Sequence, residues 1–418
     1  FGGAKNSGNV DYVAGWYMKA AEYIGDCPMR CAFVSTNSIC QGEQVANVWR
    51  PLWDLGIRID FAHDTFRWVN EANGQAHVFV IIVGFSKLGG GKRLFHHAGP
   101  DAPAMELRPS NVNAYLSDAP DAFVQNLSKS LCSVPKIGIG SQPIDNGNYL
   151  FKSDELDVFM EEEPGAAEFI HPWLGSEEFI KGKKRFALWL GEATPAQLDS
   201  LPKCRERIAA VREYRLASKR VQTRKAADSP EHFGTEIIAK GPSVLVPKVS
   251  SERRRYVPLG FVEPPTLCSD LVFLIPDATL YHFGVLHSQF HNAWMRTVCG
   301  RLKSDYRYSG GVVYNTFPWP GATRESLATP VERLIAPGVR KRVEECAQGV
   351  LDARAAHAGV TLADLYDPEK MPSDLLAAHK ALDAAVEAAY GVHFDGDEEK
   401  IVAHLFGMYA KLTERQSR

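Results

Sequence analysis

The chain has 418 residues, of which 45% are hydrophobic and 23% charged, and it carries a formal net charge of −3. That balance excludes a disordered or fibrous chain, and the length suits about two to four domains. No apolar run approaches the ~18–20 residues of a membrane span, so no membrane partner is expected.

The first residues, Phe-Gly-Gly-Ala-Lys-Asn, hold no signal-peptide core and do not begin with Met, which suits a fragment or a processed product. Eight cysteines over this length form no disulfide framework. Cys27, Cys31 and Cys40 lie close together, but no Cys-x-x-Cys pair recurs. Reduced thiols, no metal site and a cytoplasmic location are expected.

In chain order, Val10, Val13, Tyr17, Ala20, Ala21 and Ile24 recur at helical spacing and predict a helix over 10–24. Cys31 to Val34 reads as a short buried strand and Gln44 to Leu55 as a helix stopped by Gly56. Ile57 to Ala62 and His77 to Phe85 read as strands. The second is apolar without a break from Val78 to Val83, as in a strand covered on both faces. The order helix, strand, helix, strand, strand suits the second half of a doubly wound sheet ending in an antiparallel hairpin. Gly89-Gly90-Gly91 reads as a linker, which places a domain boundary near residue 95 and a first domain over 1–95.

Residues 96–322 read as a mixed α/β region. Short strands are expected at Gly147 to Lys152, Phe186 to Gly191, Ser243 to Val249 and Val272 to Ile275. Charge is segregated: nine acids and one lysine lie from Lys152 to Glu178, thirteen bases and four acids from Lys181 to Lys225. A long helix is expected from Pro202 to about Ala227, on which Arg205, Arg212 and Lys219 recur every seven residues with Arg215 beside them. That stripe is either a phosphate-contacting surface or a solvated helix face. A second basic site, Lys248 to Arg255, contains Arg253, Arg254 and Arg255. His287 and His291 stand i, i+4 on an expected helix and, without the glutamate of a zinc-hydrolase motif, read as packing. Residues 323–418 read as a helical domain. Its helices are expected at Val339 to Ala358, Ser373 to Tyr390 and Glu398 to Glu414, with Gly391 as a stop and Asp395 or Asp397 as an N-cap.

The stretch from Arg301 to Pro320 mixes cations, a carboxylate, hydroxyls and aromatics ahead of a short apolar run. It reads either as a polar hairpin closed by Pro-Trp-Pro or as a surface that reads DNA. In the second case Lys and Arg donate to guanine and Asp accepts from cytosine.

Several runs resemble one family. They are Phe33-Val34-Ser35-Thr36-Asn37-Ser38-Ile39-Cys40-Gln41-Gly42-Glu43-Gln44, Phe61-Ala62-His63-Asp64-Thr65-Phe66-Arg67-Trp68, and Val83-Gly84-Phe85-Ser86. Tyr306-Arg307-Tyr308-Ser309, Asn315-Thr316-Phe317-Pro318-Trp319-Pro320 and Met371-Pro372 belong with them. Together they are similar to the MmeI-like, Type IIL restriction–modification enzymes, over nearly the whole chain, and a related phage-defence methyltransferase family shares parts of the likeness.

The resemblance implies a fold of α/β and α+β parts. These are a partial doubly wound sheet from a gamma-class N6-adenine DNA methyltransferase, a mixed α/β target-recognition domain and a C-terminal helical domain. Double-stranded DNA is the implied partner, and S-adenosylmethionine the cofactor of the parent protein, with none expected on this chain. Phe1-Gly2-Gly3 is similar to the end of the catalytic Asn-Pro-Pro-aromatic motif. On this likeness Phe1 and Phe66 would stack on a flipped adenine. Lys303 and Asp305, one residue apart, would share a strand face and read one G·C pair; a local salt bridge is the other possibility. Arg301, Arg307, Arg253, Arg254, Arg255, Arg212 and Lys219 would contact phosphates. With no Gly-rich cofactor turn and no nuclease carboxylate–lysine cluster in its sequence, the chain is expected to be inactive alone, with the strand near Phe33 left as an edge. A stand-alone DNA-binding specificity protein without chemistry is the alternative. A metabolic enzyme with a phosphorylated ligand is the third possibility.

Overall fold

The structure, a computed structural model, describes residues 8, 10–68, 78–99, 101–302 and 304–414. Helix α1 (Ala14–Ile24) begins later than its periodicity predicts, because the carbonyls of Asp11 and Tyr12 close turns onto the amides of Ala14 and Gly15. Strand β1 (Arg30–Thr36), helix α2 (Gln44–Asp54), and strands β2 (Arg58–Trp68) and β3 (Val78–Ser86) follow. β3 lies between β1 and β2 and runs antiparallel to both, so β1 and β2 are parallel to each other. The apolar run of β3 is buried over most of its length, as a central strand requires. At Gly84 the ring of Phe61 takes the place of a side chain: a Cβ there would stand 2.1 Å from it. β4 (Arg93–His97) joins β2 in parallel and β5 (Ala104–Leu107) joins β4 antiparallel, so the sheet runs past residue 95 to Leu107.

Within the described residues β1 pairs only with β3 and is an edge strand. The expected buried strand is therefore half open: Val34 is 49% exposed, and Tyr12, Trp16 and Tyr23, on or near α1, are also exposed.

The middle of the chain holds three small sheets. β6 (Gly138–Ile139), β7 (Leu150–Lys152), α3 (Ser153–Glu162), β8 (Ile170–Leu174), α4 (Ser176–Lys181), β9 (Arg185–Leu188) and α5 (Pro195–Asp199) lead to α6 (Pro202–Leu216) and α7 (Val221–Lys225). β10 (Ser243–Pro247), β11 (Val249–Ser250), β12 (Gly260–Val262), β13 (Leu267–Cys268) and β14 (Val272–Pro276) come next. They precede α8 (Leu280–His287), α9 (Gln289–Val298), β15 (Gly300–Leu302) and β16 (Asp305–Arg307). The sheets are β12-β10-β14-β6, β11-β16-β15 and β13-β8-β9-β7. The last has its own core around Tyr149, Phe151, Trp173 and Leu188, apart from the main one.

The helix expected over Pro202 to Ala227 is broken at Ala217–Arg220. Ser218 accepts the Arg220 amide through its hydroxyl, a local alternative to the helical bond. Arg215 does not join the basic stripe. It is fully buried, and its guanidinium donates to the carbonyls of Pro143, Ile144, Ala226, Ser229 and His232 at 2.7–3.2 Å. One cation thus gathers three loop segments that have no ladder of their own. His287 and His291 fall on separate helices, because Ser288 between them is extended; both are buried.

The C-terminal helices follow the sequence closely: α10 (Pro337–Ala356), α11 (Leu362–Leu365), α12 (Ser373–Tyr390) and α13 (Glu398–Thr413). Gly391 ends α12 in the left-handed conformation, and the Asp397 carboxylate caps α13 at the Lys400 amide. No helix among the described residues is long and apolar enough to cross a membrane.

These helices share the main core with the first sheet, and polar bonds fix them to α8 and α9. Arg354 donates to His287 Nε2 at 3.0 Å. Arg296 grips Glu398 through two nitrogens at 2.7 and 2.8 Å. Asp383 on α12 accepts from the Tyr256 hydroxyl at 2.6 Å and the Gln289 amide at 2.7 Å, and burial pushes its pKa up to about 6.

Two predictions arise from these buried groups. Arg215→Met should cost about 3–5 kcal/mol by leaving buried carbonyls unpaired. Urea unfolding measures the loss, and hydrogen exchange should quicken at 143–148 and 226–234; unchanged stability would remove Arg215 as the organiser. The folded state holds the Asp383 proton more tightly than the unfolded chain does, so Asp383 lowers stability as pH rises through about 4 to 6. Wild type minus Asp383→Asn should therefore decline by about 2–3 kcal/mol across that window, and equal slopes would contradict it.

Candidate functional site

β1 and β2 end on the same side of the first sheet, where ligands of such sheets gather. Their ends are tied by side chains. Asn37 Nδ2 donates to Thr65 Oγ1 at 3.3 Å, Thr36 and Ser38 share a hydroxyl bond at 3.0 Å, and Ser38 Oγ donates to Asp11 at 2.5 Å. A register shift between His63 and Phe66 marks a bulge in β2, a device that re-aims side chains.

Phe66 is partly buried, one residue past Thr65 on this rim. Its ring stacks on the His97 imidazole, centroids 4.7 Å apart and 18° from parallel, while His63 stacks on Phe95 at 4.3 Å and 8°. His63 Nδ1 lies 3.3 Å from His97 Nε2. Asp64 accepts from the His97 amide at 2.9 Å and meets His96 Nδ1 at 2.6 Å. Burial lowers the His63 pKa, with the nearby His97 adding to the effect. Burial also raises that of Asp64, against the pull of its hydrogen bonds. Phe1, the other expected stacking residue, lies outside the described residues.

The second candidate surface is the β11-β16-β15 sheet. Its strand β16 alternates as a half-buried strand does: Tyr306 is buried, Arg307 exposed and the following Tyr308 buried. The aromatics of Arg301 to Pro320 are thus core residues, Trp319 and Phe317 included, and Arg307 is exposed. Lys303 lies outside the described residues. β15 ends at Leu302 and β16 begins at Asp305, its register partner, so positions 303 and 305 are not successive outward positions of one strand. Asp305 Oδ1 accepts the Glu252 amide at 3.4 Å.

The expected cations divide. Arg307, Arg212 and Lys219 are exposed and make no ion pair within the described residues. Lys219 stands beyond the end of α6, in a crevice of about 510 Å³ with Arg220, Thr223 and Asp270. Arg301 is turned to its own hairpin, over the Tyr306 ring at 4.2 Å and donating to the Ser304 carbonyl. Arg253 pairs with Glu369 at 2.6 Å. Arg254 is partly buried, which lowers its pKa. Arg255 lies over Tyr256 and lines a crevice shared with Lys380 and Asp383, at the seam with the C-terminal helices. Arg301, Arg253 and Arg255 are thus engaged locally.

Lys248 was legible only as one of several bases. The structure puts it half-buried over Phe273 at 5.0 Å, with Asp270 and Arg307 near; burial lowers its pKa and Asp270 opposes the shift. With Arg307 it lines a crevice of about 370 Å³ whose opposite wall is Gly42 and Glu43, from the loop that begins at Asn37. At Gly42 (φ +56°) a Cβ would stand 3.4 Å from the Gly300 backbone, so the rim loop rests directly on the base of the hairpin. The His63–His97 pair also escapes the sequence, since it depends on the pairing of β2 with β4. No group of three or more metal-ligating side chains is gathered among the described residues.

Three consecutive sequence models of one family match the chain: the MmeI DNA-methyltransferase domain over residues 1–96, the MmeI target recognition domain over 118–321 and the MmeI C-terminal domain over 335–416. The DNA methyltransferase A of Bacillus subtilis (strain 168) is 37% identical over 418 residues, 99% of this chain and 45% of that protein. The structure of the Type IIL restriction-modification enzyme MmeI in complex with DNA is similar with a TM-score of 0.91 and 39% identity, covering 99% of this chain and 54% of that one. The chain spans about half the length of both.

Proposed function

The chain belongs to the MmeI-like family of Type IIL restriction–modification enzymes, and from that premise we propose that it carries the base-accepting rim and the DNA-reading surface of a site-specific N6-adenine DNA methyltransferase. The observation that carries the reading is the junction of the two surfaces at Gly42 and Gly300. A methylated base must be turned out of the duplex while its neighbours are read, so rim and reader must sit at a fixed separation. Phe66 offers the flipped base one aromatic face, and Phe1 is assigned the other. Arg307, Arg212, Lys219 and Lys248 neutralise phosphates; Lys303 and Asp305 meet base edges. Residues 1–95, 96–322 and 323–418 serve as catalytic part, reader and helical support.

S-adenosylmethionine supplies the methyl group when bound. The described residues do not fit its cradle: in the turn from β1 to α2 the side chains of Asn37 and Ser38 are bonded to Thr65 and Asp11, and Gly42 is packed on Gly300. The second reading is a DNA-binding specificity protein without chemistry. Both readings expect the purified chain to bind duplex DNA without methylating it; methyl transfer by the chain alone would contradict that. Methylation by the full-length protein separates the two.

Arg307→Ala should weaken binding to every duplex and lower the slope of log K against log salt by about one. An unchanged slope would take Arg307 off the phosphates. Lys303→Glu with Asp305→Arg, in the full-length protein, should change the preferred base at one position of the methylated site. Equal loss for all sequences would show that the pair only stabilises the turn.

A further inference from the structure

We propose that His97 and His63 are positioning residues that hold the Phe66 ring at a fixed tilt to receive the flipped base; this rests on the reading of Phe66 as a stacking face. The geometry fixes both imidazoles. The Ala102 carbonyl, 3.0 Å from His97 Nδ1, can only accept, so His97 carries its proton on Nδ1. Its Nε2 is then a lone pair, and His63 Nδ1–H donates to it at 3.3 Å. With both rings uncharged, these bonds select one tautomer of each and oppose rotation. Burial shifts the His63 pKa downward.

The support reaches further back. Asp64 binds the His97 amide with one oxygen and His96 with the other, which anchors β4 to β2. Arg67 reaches Asp101 at 3.2 Å and holds the turn that presents Ala102. Phe66 therefore rests on a ring whose plane is set by hydrogen bonds at two edges. A purely apolar support would leave the Phe66 plane to packing alone. Partly exposed imidazoles in mutual hydrogen bonds are a poor choice for simple hydrophobic filling, since each must find a partner for its polar nitrogens. They suit a site whose first layer must be preorganised by a second. Base–aromatic stacking is strong enough for such preorganisation to matter.

The test uses the full-length protein and a duplex with 2-aminopurine at the target adenine. Phe66→Ala, His97→Ala and His97→Phe are compared by fluorescence, by kcat and KM for DNA, and by melting temperature. His97→Ala should lower kcat and the fluorescence rise about tenfold, with KM and melting temperature little changed. His97→Phe, which keeps a flat ring beneath Phe66, should recover much of the loss. Impaired Phe66→Ala beside a fully active His97→Ala would overturn the proposal alone. Wild-type activity in Phe66→Ala would overturn the base-stacking reading and the proposal with it. Should His97→Ala fail to fold, nitrogen NMR of wild-type imidazoles decides: the Nδ1–H form of His97 supports the proposal, and the Nε2–H form refutes it.

Discussion

The contact between Gly42 and Gly300 is the constraint on which the rest of the molecule depends. Two backbones meet there without a side chain between them, and Gly42 does so at a φ of +56°, which favours glycine. A contact between main chains cannot relax by changing a rotamer. It brings the sheet end that carries Asn37, Thr65 and Phe66 against the hairpin that carries Asp305 and Arg307. A second tie runs beside it: Glu43 accepts from Asn126 at 3.0 Å, and the Asn126 side chain packs on Gly311, where a Cβ would stand 1.9 Å away. Leu127 and Gly311 are bonded through their backbones as well.

Around that joint the cations do two different jobs. Arg215, Arg354 and Arg296 are spent inside the protein, on carbonyls, on His287 and on Glu398. Arg253 and Arg301 are engaged locally. Of the candidate cations, Arg307, Arg212 and Lys219 are exposed and without an ion pair among the described residues, and Lys248 is half-buried. Counting bases along the chain overstates the exposed positive surface, because an arginine with a buried guanidinium is as basic in sequence as an exposed one.

How much of this was legible follows from the range of the forces involved. The C-terminal helices are set by local signals, the stop at Gly391 and the cap at Asp397, and the sequence places them to within a few residues. The apolar run of β3 likewise announces a covered strand. Strand order has no local signature, so the insertion of β3 between β1 and β2 was not visible. The break after Leu216 goes with the Ser218 hydroxyl accepting the Arg220 amide, while the burial of Arg215 depends on Pro143 and Ile144, about seventy residues away in sequence. The same limit explains the hairpin: the sequence offered a polar hairpin or a DNA-reading surface there, but the turn between Leu302 and Asp305 comes from strand pairing and has no local signature. At the rim, Phe66 was found through likeness of motif, while His97 behind it becomes visible only once β4 lies beside β2.

The proposed function sets a DNA reader at a fixed distance from a base-accepting rim. The most direct measurement is a binding selection with the purified chain on a pool of random duplexes at moderate salt. The account predicts enrichment of one short sequence in a single register, with binding that weakens steadily as salt is raised. A pool that emerges no richer in any sequence than it began, or binding indifferent to salt, would contradict it.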